Sequence, residues 1–263
     1  MKKLFVLIAA ACMTCTAAFA QTVKPFKEGE RAVFLGNSIT DGGHYHSYIW
    51  LYYMTRFPDM PIRVFNGGIG GDTAYDMNKR LDGDIFAMKP SVLMVTFGMN
   101  DSGYFEYNGD KPKEFGEQKY QESIKNYQQM EKRFKDLPDT RIVMVGTSPY
   151  DETVQLKENT PFKTKNETIK RLVEYQKESA AKNNWEFTDL NAPMTAINQQ
   201  YQQKDPTFTL CGSDRIHPDN DGHMVMAYLF LKAQGFVGKE VADMEINANK
   251  KQAVKSENCT VSN

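Results

Sequence analysis

The sequence predicts an α/β fold, a three-layer α/β/α sandwich around a central parallel sheet of about five strands, of the flavodoxin-like kind. Short apolar runs alternate along the chain with longer segments in which apolar residues recur at helical spacing. The first two of these runs stop at glycines. This order is typical of parallel strands joined by helical crossovers, with the sheet covered on both faces.

The first half of the chain contains three predicted strands and two predicted helices. Residues 32–35 are apolar and stop at a glycine, which indicates a buried strand. Aromatic and aliphatic residues at helical spacing predict a helix over 49–57, which a proline follows. A second strand, 62–65, ends in an Asn-Gly-Gly sequence. A helix over 72–88 begins with polar capping residues, and 91–97 is a third strand rich in Val, Leu and Met.

The second half continues the alternation. Residues 117–136 predict a long polar helix, which the apolar strand 141–146 follows. A helix over 163–183 then precedes a fifth strand at 185–190. Residues 220–234 predict the final helix. Each strand is therefore separated from the next by a crossover segment, as a parallel sheet requires.

The N-terminus predicts a secretory signal peptide. Lys2 and Lys3 precede an apolar run, and an Ala-Phe-Ala sequence ends at Ala20, where we expect cleavage. A membrane anchor is the competing interpretation, but the apolar run is too short to span a bilayer. Lipidation at Cys12 or Cys15 is a further alternative, although neither follows a Leu-Ala-Gly-like sequence.

Three segments follow from these signals: a signal peptide over 1–20, one domain over 21–237, and a polar tail over 238–263. The tail loses apolar periodicity, so it is either loosely held or the start of a further element. We expect a periplasmic or secreted protein without a stable membrane anchor. Its oligomeric state is not predicted.

Charge and cysteine content restrict the partners and the covalent chemistry. The formal net charge is −1, and removal of Lys2 and Lys3 with the leader makes it −3. A mildly acidic chain without a long basic run argues against nucleic acid as a partner. Cys211 and Cys259 would remain after cleavage. In an oxidising compartment we expect them to form a disulfide, with two unrelated thiols as the alternative.

Polar residues follow the first three strands, at the edge of the sheet where sites form in open parallel sheets. Ser38 comes first, in a turn that could expose its hydroxyl, although serine there is more often a helix cap. Within residues 66–73, four of the five residues at 67–71 are glycines. Such a segment allows backbone amides to approach an anionic group closely. This segment lacks the Gly-x-Gly-x-x-Gly and P-loop patterns. Asn100 could donate to an oxyanion or form an Asx-turn.

Asp214 and His217 stand three positions apart on one loop, just before Pro218. Both side chains can face one cleft, with Asp214 accepting a hydrogen bond from Nδ1 of His217. That contact fixes the tautomer in which Nε2 can take a proton from a serine. The pair therefore indicates nucleophilic catalysis.

These segments together resemble the four marker blocks of the SGNH, or GDSL-like, hydrolase family. The matching residues are Gly36-Asn37-Ser38, Gly71, Gly98-Met99-Asn100-Asp101 and Asp214-Arg215-Ile216-His217. The resemblance covers about residues 31–235. Asn37 and Met99 depart from the Asp and Thr that are frequent in the family, but neither position carries the chemistry.

The resemblance implies a role for each matched residue. Ser38 is the expected nucleophile, His217 the general base and then acid, and Asp214 the residue that orients His217. The backbone amides of Ser38 and Gly71 and the side chain of Asn100 form the expected oxyanion hole. The reaction would pass through an acyl-serine without a metal or an organic cofactor.

Residues beside these blocks are predicted to bind the substrate: His44, Tyr45, Tyr104 and Phe105. For the aromatic residues, a loop tied down by its own side chains is the alternative. A metal site at His44 and His46 is disfavoured, because no nearby residues complete a ligand set. His223 is interpreted as a packing residue.

The expected function is hydrolysis of carboxylic esters outside the cytoplasm, on a small-molecule or polysaccharide substrate. The resemblance favours acetyl esters of carbohydrates. A lysophospholipase or thioesterase for longer acyl chains is the alternative, and pocket length, set by loops 42–48 and 101–116, would separate the two. A glycan-binding protein on an inactive hydrolase scaffold, and a flavodoxin-like nucleotide binder, are less favoured.

Overall fold

The computed structural model describes residues 22–157 and 160–261. The predicted signal peptide over 1–20 lies outside the described residues. Within them, the five strands of the main sheet are β1 (Arg31–Gly36), β2 (Arg63–Gly68), β3 (Val92–Val95), β4 (Arg141–Gly146) and β5 (Glu186–Asp189). The helices are α1 (Ser38–Asp41), α2 (Tyr45–Arg56), α3 (Ala74–Arg80), α4 (Pro112–Lys135), α5 (Lys165–Asn183), α6 (Asn191–Gln202) and α7 (Asn220–Ala233).

The five strands form one parallel sheet in the order β2-β1-β3-β4-β5. The predicted fold class is confirmed. The strand order reverses at β1, because β2 lies on one side of it and β3 on the other. Such a switch point opens a crevice at the carboxyl ends of the flanking strands. The segments after β1, β2 and β3 therefore meet at one edge of the sheet.

Alternate side chains of the strands enter two cores on opposite faces of the sheet. Phe34 and Met94 pack in one core, which includes residues of α2, α5 and α7. Val33, Leu93 and Val95 pack in the other, with residues of α3 and α4. Burial on both faces explains why the strands read as apolar runs rather than alternating ones.

One predicted helix differs from the observed one, and one observed helix was not predicted. The helix predicted over 72–88 is interrupted, because α3 ends at Arg80 and a π-helical turn (Leu81–Ile85) and a 3-10 turn (Phe86–Met88) follow it. The Asp-Gly-Asp sequence inside the π turn is a poor helix former. Helix α6 was not predicted, since two of the three residues that it buries are asparagines.

The C-terminal segment forms an antiparallel hairpin of β6 (Asp243–Asn247) and β7 (Gln252–Glu257), where the sequence indicated no element. Most of its side chains are exposed, so it lacks the apolar pattern on which the prediction of strands depended. No helix in the described ranges is long and apolar enough to span a bilayer.

The predicted disulfide between Cys211 and Cys259 is wrong, since both thiols are free. Cys211 is buried, and its Sγ donates a hydrogen bond to the carbonyl of Pro149 at 3.2 Å. Cys259 lies after β7, and its Sγ is 3.7 Å from the hydroxyl of Ser256. Each thiol therefore has its own local partners.

Candidate active site

Ser38 is the first residue of α1, directly after β1. The cap of this short helix is Asn37, whose Oδ1 accepts a hydrogen bond from the amide of Ile39 at 3.0 Å. Asn37 thus takes the capping role, and the Ser38 hydroxyl is left free for another partner. The turn is tight, because a Cβ on Gly36 would lie 2.1 Å from Oγ1 of Thr40.

The hydroxyl of Ser38 contacts the imidazole of His217, which in turn contacts the carboxylate of Asp214. Ser38 Oγ lies 2.7 Å from His217 Nε2, and His217 Nδ1 lies 2.6 Å from Asp214 Oδ2. The other oxygen of Asp214 accepts from the backbone amides of Ile216 and His217, both at 2.9 Å. Three residues separated by up to 179 positions in sequence therefore form one hydrogen-bonded line.

These contacts raise the pKa of His217 and lower the pKa of Asp214. The hydrogen bond that His217 Nδ1 donates to Asp214 raises the pKa of His217 above its ordinary value of 6.5. Partial burial of Asp214 opposes its ionisation, but the hydrogen bonds from His217 and the amide of Ile216 outweigh this effect and lower its pKa. The carboxylate is therefore ionised at neutral pH and favours a proton on the imidazole.

The loop that carries Asp214 and His217 is held by Arg215, which sequence reasoning did not single out. Arg215 has a φ of 69° and is buried. Its Nη1 donates to the carbonyls of Asp151 and Val154, at 3.1 and 2.7 Å. The amide of Asp151 donates back to the carbonyl of Arg215 at 3.0 Å. The sequence shows only an arginine between the acid and the histidine, and arginine is mostly exposed, so its burial here is visible only in the structure.

The glycine segment after β2 lies against α1. A Cβ on Gly68 would meet the backbone nitrogen of Asp41 at 2.3 Å, so only glycine permits this approach. A Cβ on Gly70 would be 4.0 Å from the Cβ of Ser38. Gly71 is exposed, with a φ of 85° that favours glycine. The predicted proximity of this segment to Ser38 is observed.

Asn100 lies between the glycine segment and the loop that follows β3. Its Nδ2 donates to the carbonyl of Asp72 at 3.0 Å, and its Oδ1 accepts from the hydroxyl of Tyr104. An amide nitrogen carries two hydrogens, so the contact with Asp72 leaves one of them available. Asp101, the next residue, is buried and accepts from the amides of Gly98 and Ala74, each at 2.9 Å.

Ser38 and His217 border an open cleft of about 480 Å³. Most of its other lining residues belong to the loop after α1 and to the start of α7. They are Ile39, Gly42, His44, Pro218, Asp219, Asn220, Asp221 and His223. The cleft therefore offers carboxylates, an amide and imidazoles beside the Ser38 hydroxyl.

Of the predicted substrate-binding residues, His44 lines this cleft. Tyr45 does not, and this prediction is wrong, because its side chain is 2% exposed and its hydroxyl lies 2.9 Å from that of Thr40. Tyr104 is half-buried beside Asn100. Phe105 is 80% exposed and packs edge-on against Phe162.

His223 is a packing residue, as predicted, and it also reaches the floor of the cleft. Its ring stacks parallel to that of Tyr45, with centroids 6.0 Å apart. Burial, with the nearby imidazole of His44, lowers its pKa to about 4, so His223 is neutral at physiological pH. His46 is buried, and its Nε2 lies 3.2 Å from the carbonyl of Thr40.

Among the residues with described positions, the one acidic group close enough to share a metal ion is Glu240, Asp243 and Glu257, at the C-terminal hairpin. Lys255 already pairs with Asp243 at 2.5 Å and with Glu257 at 3.4 Å. These residues are not among those that line the cleft beside Ser38. Nothing in this arrangement links them to the serine.

Known proteins of similar sequence and fold include an esterase. An acetylxylan esterase from Geobacillus stearothermophilus is 27% identical over 224 residues, which cover 79% of this chain and 95% of the relative. A crystal structure of a catalytic mutant of an acetylxylan esterase from that organism superposes with a TM-score of 0.64 and 24% identity, over 80% of this chain and 96% of the other. The second likeness shows the fold alone.

A gut microbial diltiazem-metabolizing enzyme, BT4096, is more similar. Its structure matches with 84% identity and a TM-score of 0.89 over 93% of this chain. The matched part is 55% of that protein, so this chain spans little more than half of its length.

The α/β/α sandwich and the Ser-His-Asp line at its switch point define the class of this protein, a carboxylic ester hydrolase. Residues 34–225 match the GDSL-like lipase/acylhydrolase family. This match covers well over half of the chain, which therefore belongs to that family. The predicted family and enzyme class are confirmed.

Proposed function

We propose that this protein is an exported serine esterase that removes short acyl groups, above all acetyl, from hydroxylated carbohydrate substrates. The observation that carries the proposal is the 2.7 Å contact between Ser38 Oγ and His217 Nε2, at the edge of a polar cleft. The acetylxylan esterase relative supports the acetyl group and the carbohydrate. The Ala-Phe-Ala sequence before Gln21 supports export.

The first half of the reaction follows from the hydrogen-bonded line. His217 Nε2 takes the proton of Ser38 as Oγ attacks the ester carbonyl carbon, and the carbonyl oxygen becomes an oxyanion. Asp214 stabilises the imidazolium and holds its tautomer. When the tetrahedral intermediate collapses, the carbon–oxygen bond to the alcohol breaks and Nε2 gives its proton to the leaving alcohol.

The second half releases the acyl group. A water molecule loses its proton to His217 Nε2 and attacks the acyl-serine, and the acid leaves as Ser38 recovers its hydrogen. In both halves the negative charge develops on the former carbonyl oxygen. We assign its stabilisation to the amides of Ser38 and Gly71 and to the free hydrogen of Asn100 Nδ2.

The cleft favours a hydroxylated leaving group. Asp219, Asn220 and Asp221 offer oxygen acceptors and an amide at the start of α7, in the same cleft as Ser38 and His217. Sugar hydroxyls can donate to such acceptors, whereas an alkyl chain would leave them without partners. His44 adds an imidazole at the rim.

An apolar groove exists elsewhere, between α2 and α7. It measures about 520 Å³ and is lined by Leu51, Tyr52, Met224, Tyr228 and Phe236 among others. It shares no lining residue with the cleft beside Ser38. This separation favours short acyl groups over the lysophospholipase or thioesterase alternative, because a long chain bound at Ser38 has no apolar channel among these lining residues.

The test uses residues 21–263 with p-nitrophenyl acetate, butyrate and octanoate, with acetylated xylooligosaccharides, and with diltiazem, whose ester group is an acetate. The expected result is that turnover of the p-nitrophenyl esters falls with acyl length and that the acetylated xylooligosaccharides and diltiazem are deacetylated. Ser38→Ala should abolish turnover of every substrate. Preference for octanoate would contradict the short-chain assignment. Turnover that persists in Ser38→Ala would contradict the serine mechanism, and binding of xylooligosaccharides without turnover would support the glycan-binding alternative.

A further inference from the structure

Lys165 carries an ammonium group at a buried helix N-terminus, a position that is unfavourable for a cation. It is the first residue of α5, and its side chain is fully buried. A cation at a helix N-terminus is repelled by the helix dipole. Burial of a charge is costly unless it is paired and hydrogen-bonded. The side chain therefore requires strong local contacts.

Those contacts all lie on the turn that follows β3. Lys165 Nζ donates to the carbonyl of Met99 at 2.7 Å, to Ser102 Oγ at 2.6 Å and to the carbonyl of Gly103 at 2.5 Å. An ammonium has three hydrogens, so these acceptors satisfy all of them. The turn between Met99 and Gly103 is thereby closed around the ammonium.

A carboxylate fixes the same turn. Asp101 accepts from the amides of Gly98 and Ala74 and from the hydroxyl of Ser123, at 2.9, 2.9 and 3.0 Å. Burial raises the pKa of Asp101 and lowers the pKa of Lys165 to about 7, while the charge of Asp101 favours the ammonium form of Lys165.

Asn100 lies in this turn, next to Met99, whose carbonyl Lys165 contacts. Tyr104 provides a second link between Asn100 and the ammonium, because Lys165 Nζ lies 3.9 Å from the centre of the Tyr104 ring. The hydroxyl of the same ring donates to Asn100 Oδ1. Displacement of the ammonium would loosen both the backbone of Asn100 and the side-chain contact that orients its amide.

We propose that Lys165 is a positioning residue for Asn100, and that its ammonium fixes the turn and the Tyr104 ring so that Asn100 Nδ2 meets the oxyanion. This inference rests on the proposed function, in which Asn100 is an oxyanion donor. Lys165 would then affect the transition state and therefore kcat. If Lys165 only held α5 against the sheet, its loss would lower stability and leave kcat unchanged.

The test compares Lys165→Met, Asn100→Ala and the double variant on p-nitrophenyl acetate. Asn100→Ala is expected to lower kcat by about 10²–10³. Lys165→Met is expected to lower kcat by about tenfold with KM within about twofold, a pattern that indicates a contact used in the transition state. In the Asn100→Ala background, Lys165→Met is expected to add less than about a twofold loss, because residues that act through one another are not additive.

Two further variants keep the result interpretable. Arg141→Met removes a half-buried cation at the first residue of β4, the opposite end of the sheet from Ser38, where Arg141 contacts Glu30 and Glu186 at 3.1 and 2.8 Å. This variant should lower stability without changing kcat. Ser102→Ala removes one acceptor of Nζ and is the milder change if Lys165→Met does not fold. A lower kcat with unchanged KM is expected for this variant.

An unchanged kcat in folded Lys165→Met or Ser102→Ala would overturn the proposal. A full additional loss in the double variant of Lys165→Met and Asn100→Ala would overturn it as well. Ser38→Ala, measured in parallel, reports separately on the proposed function.

Discussion

The hydroxyl of Tyr104 donates a hydrogen bond to the carboxamide oxygen of Asn100. This contact determines which end of the amide faces the glycine segment. With Oδ1 occupied, Nδ2 is the atom that donates to Asp72 and that keeps one hydrogen free. Tyr104 was predicted to bind substrate directly, and the structure gives it a second role beside Asn100.

Loss of that hydroxyl should slow the reaction without weakening substrate binding. In Tyr104→Phe the amide can rotate, so we expect kcat to fall about fivefold, consistent with a net hydrogen-bond contribution of about 1 kcal/mol, while KM stays within about twofold. Tyr175→Phe is a matched control, because the Tyr175 hydroxyl on α5 accepts a hydrogen bond from the exposed Gln128 of α4. A raised KM with unchanged kcat would assign Tyr104 to substrate binding instead.

The raised pKa of His217 predicts an acid limb in the pH profile. The reaction needs the neutral imidazole, so kcat/KM should fall as pH drops through the His217 pKa, which lies above 6.5. Asp214→Asn removes the contact that raises this pKa, so the limb should move to lower pH. Its kcat should fall by about 10³–10⁴, because the tautomer is no longer fixed. An acid limb that stays in place in Asp214→Asn would contradict this account of the pair.

Arg215 should contribute strongly to stability as well as to the shape of the catalytic loop. Arg215→Met leaves the carbonyls of Asp151 and Val154 without this donor, so we expect the free energy of unfolding to fall by about 2–4 kcal/mol. Arg215→Ala and Arg215→Gly both lose the guanidinium and leave nearly the same cavity, but only the Gly variant is relieved of the strain at a φ of 69°. Urea unfolding should therefore find the Gly variant about 1 kcal/mol more stable than the Ala variant. The opposite order would contradict the left-handed conformation.

The acidic residues at the start of α7 should affect sugar esters and not simple esters. Asp221→Asn is expected to raise KM for an acetylated xylooligosaccharide by about tenfold, since a hydrogen bond to a charged group contributes about 1.5–3 kcal/mol. Turnover of p-nitrophenyl acetate should stay unchanged. Asp139→Asn, which alters an exposed acid between α4 and β4, is the control. Equal effects on both substrates would contradict a leaving-group site at α7.

The thiols of Cys211 and Cys259 should react very differently. Burial raises the pKa of Cys211 to about 12, so its thiolate is scarce and inaccessible. Thiol titration of folded residues 21–263 should label Cys259 quickly and Cys211 only after unfolding. Fast labelling of both, or of neither after unfolding without reductant, would contradict the free, unequal thiols.

Much of the fold and of the site geometry was predictable, because both depend on local patterns. Strands β1 and β3 are apolar on both faces, and Ser38 and Asn100 stand in the segments that come after them. A parallel sheet brings such positions to one edge whatever their distance in sequence. The contact between Ser38 and His217 was expected from the resemblance to the GDSL-like family, whereas the Asp-x-x-His spacing alone indicates only that Asp214 pairs with His217.

The remainder could not be predicted because it depends on tertiary contacts. Whether Tyr45 would face the cleft or the core is decided by the packing of Phe34 and His223 against it, which the residues around it in sequence do not reveal. Lys165 looks like an ordinary surface lysine of a polar helix until the turn after β3 closes over it. The free thiol of Cys211 likewise depends on where Pro149 lies.

If the serine mechanism holds, Ser38 carries the acyl group during turnover. Peptide mapping by mass spectrometry of the enzyme quenched during hydrolysis of p-nitrophenyl acetate tests this most directly. We expect acetylation of the peptide that contains Ser38 in the wild-type protein and its loss in Ser38→Ala, with turnover lost in parallel. Continued hydrolysis by Ser38→Ala, or an acetyl group on a different residue that disappears at the same rate as turnover, would contradict it.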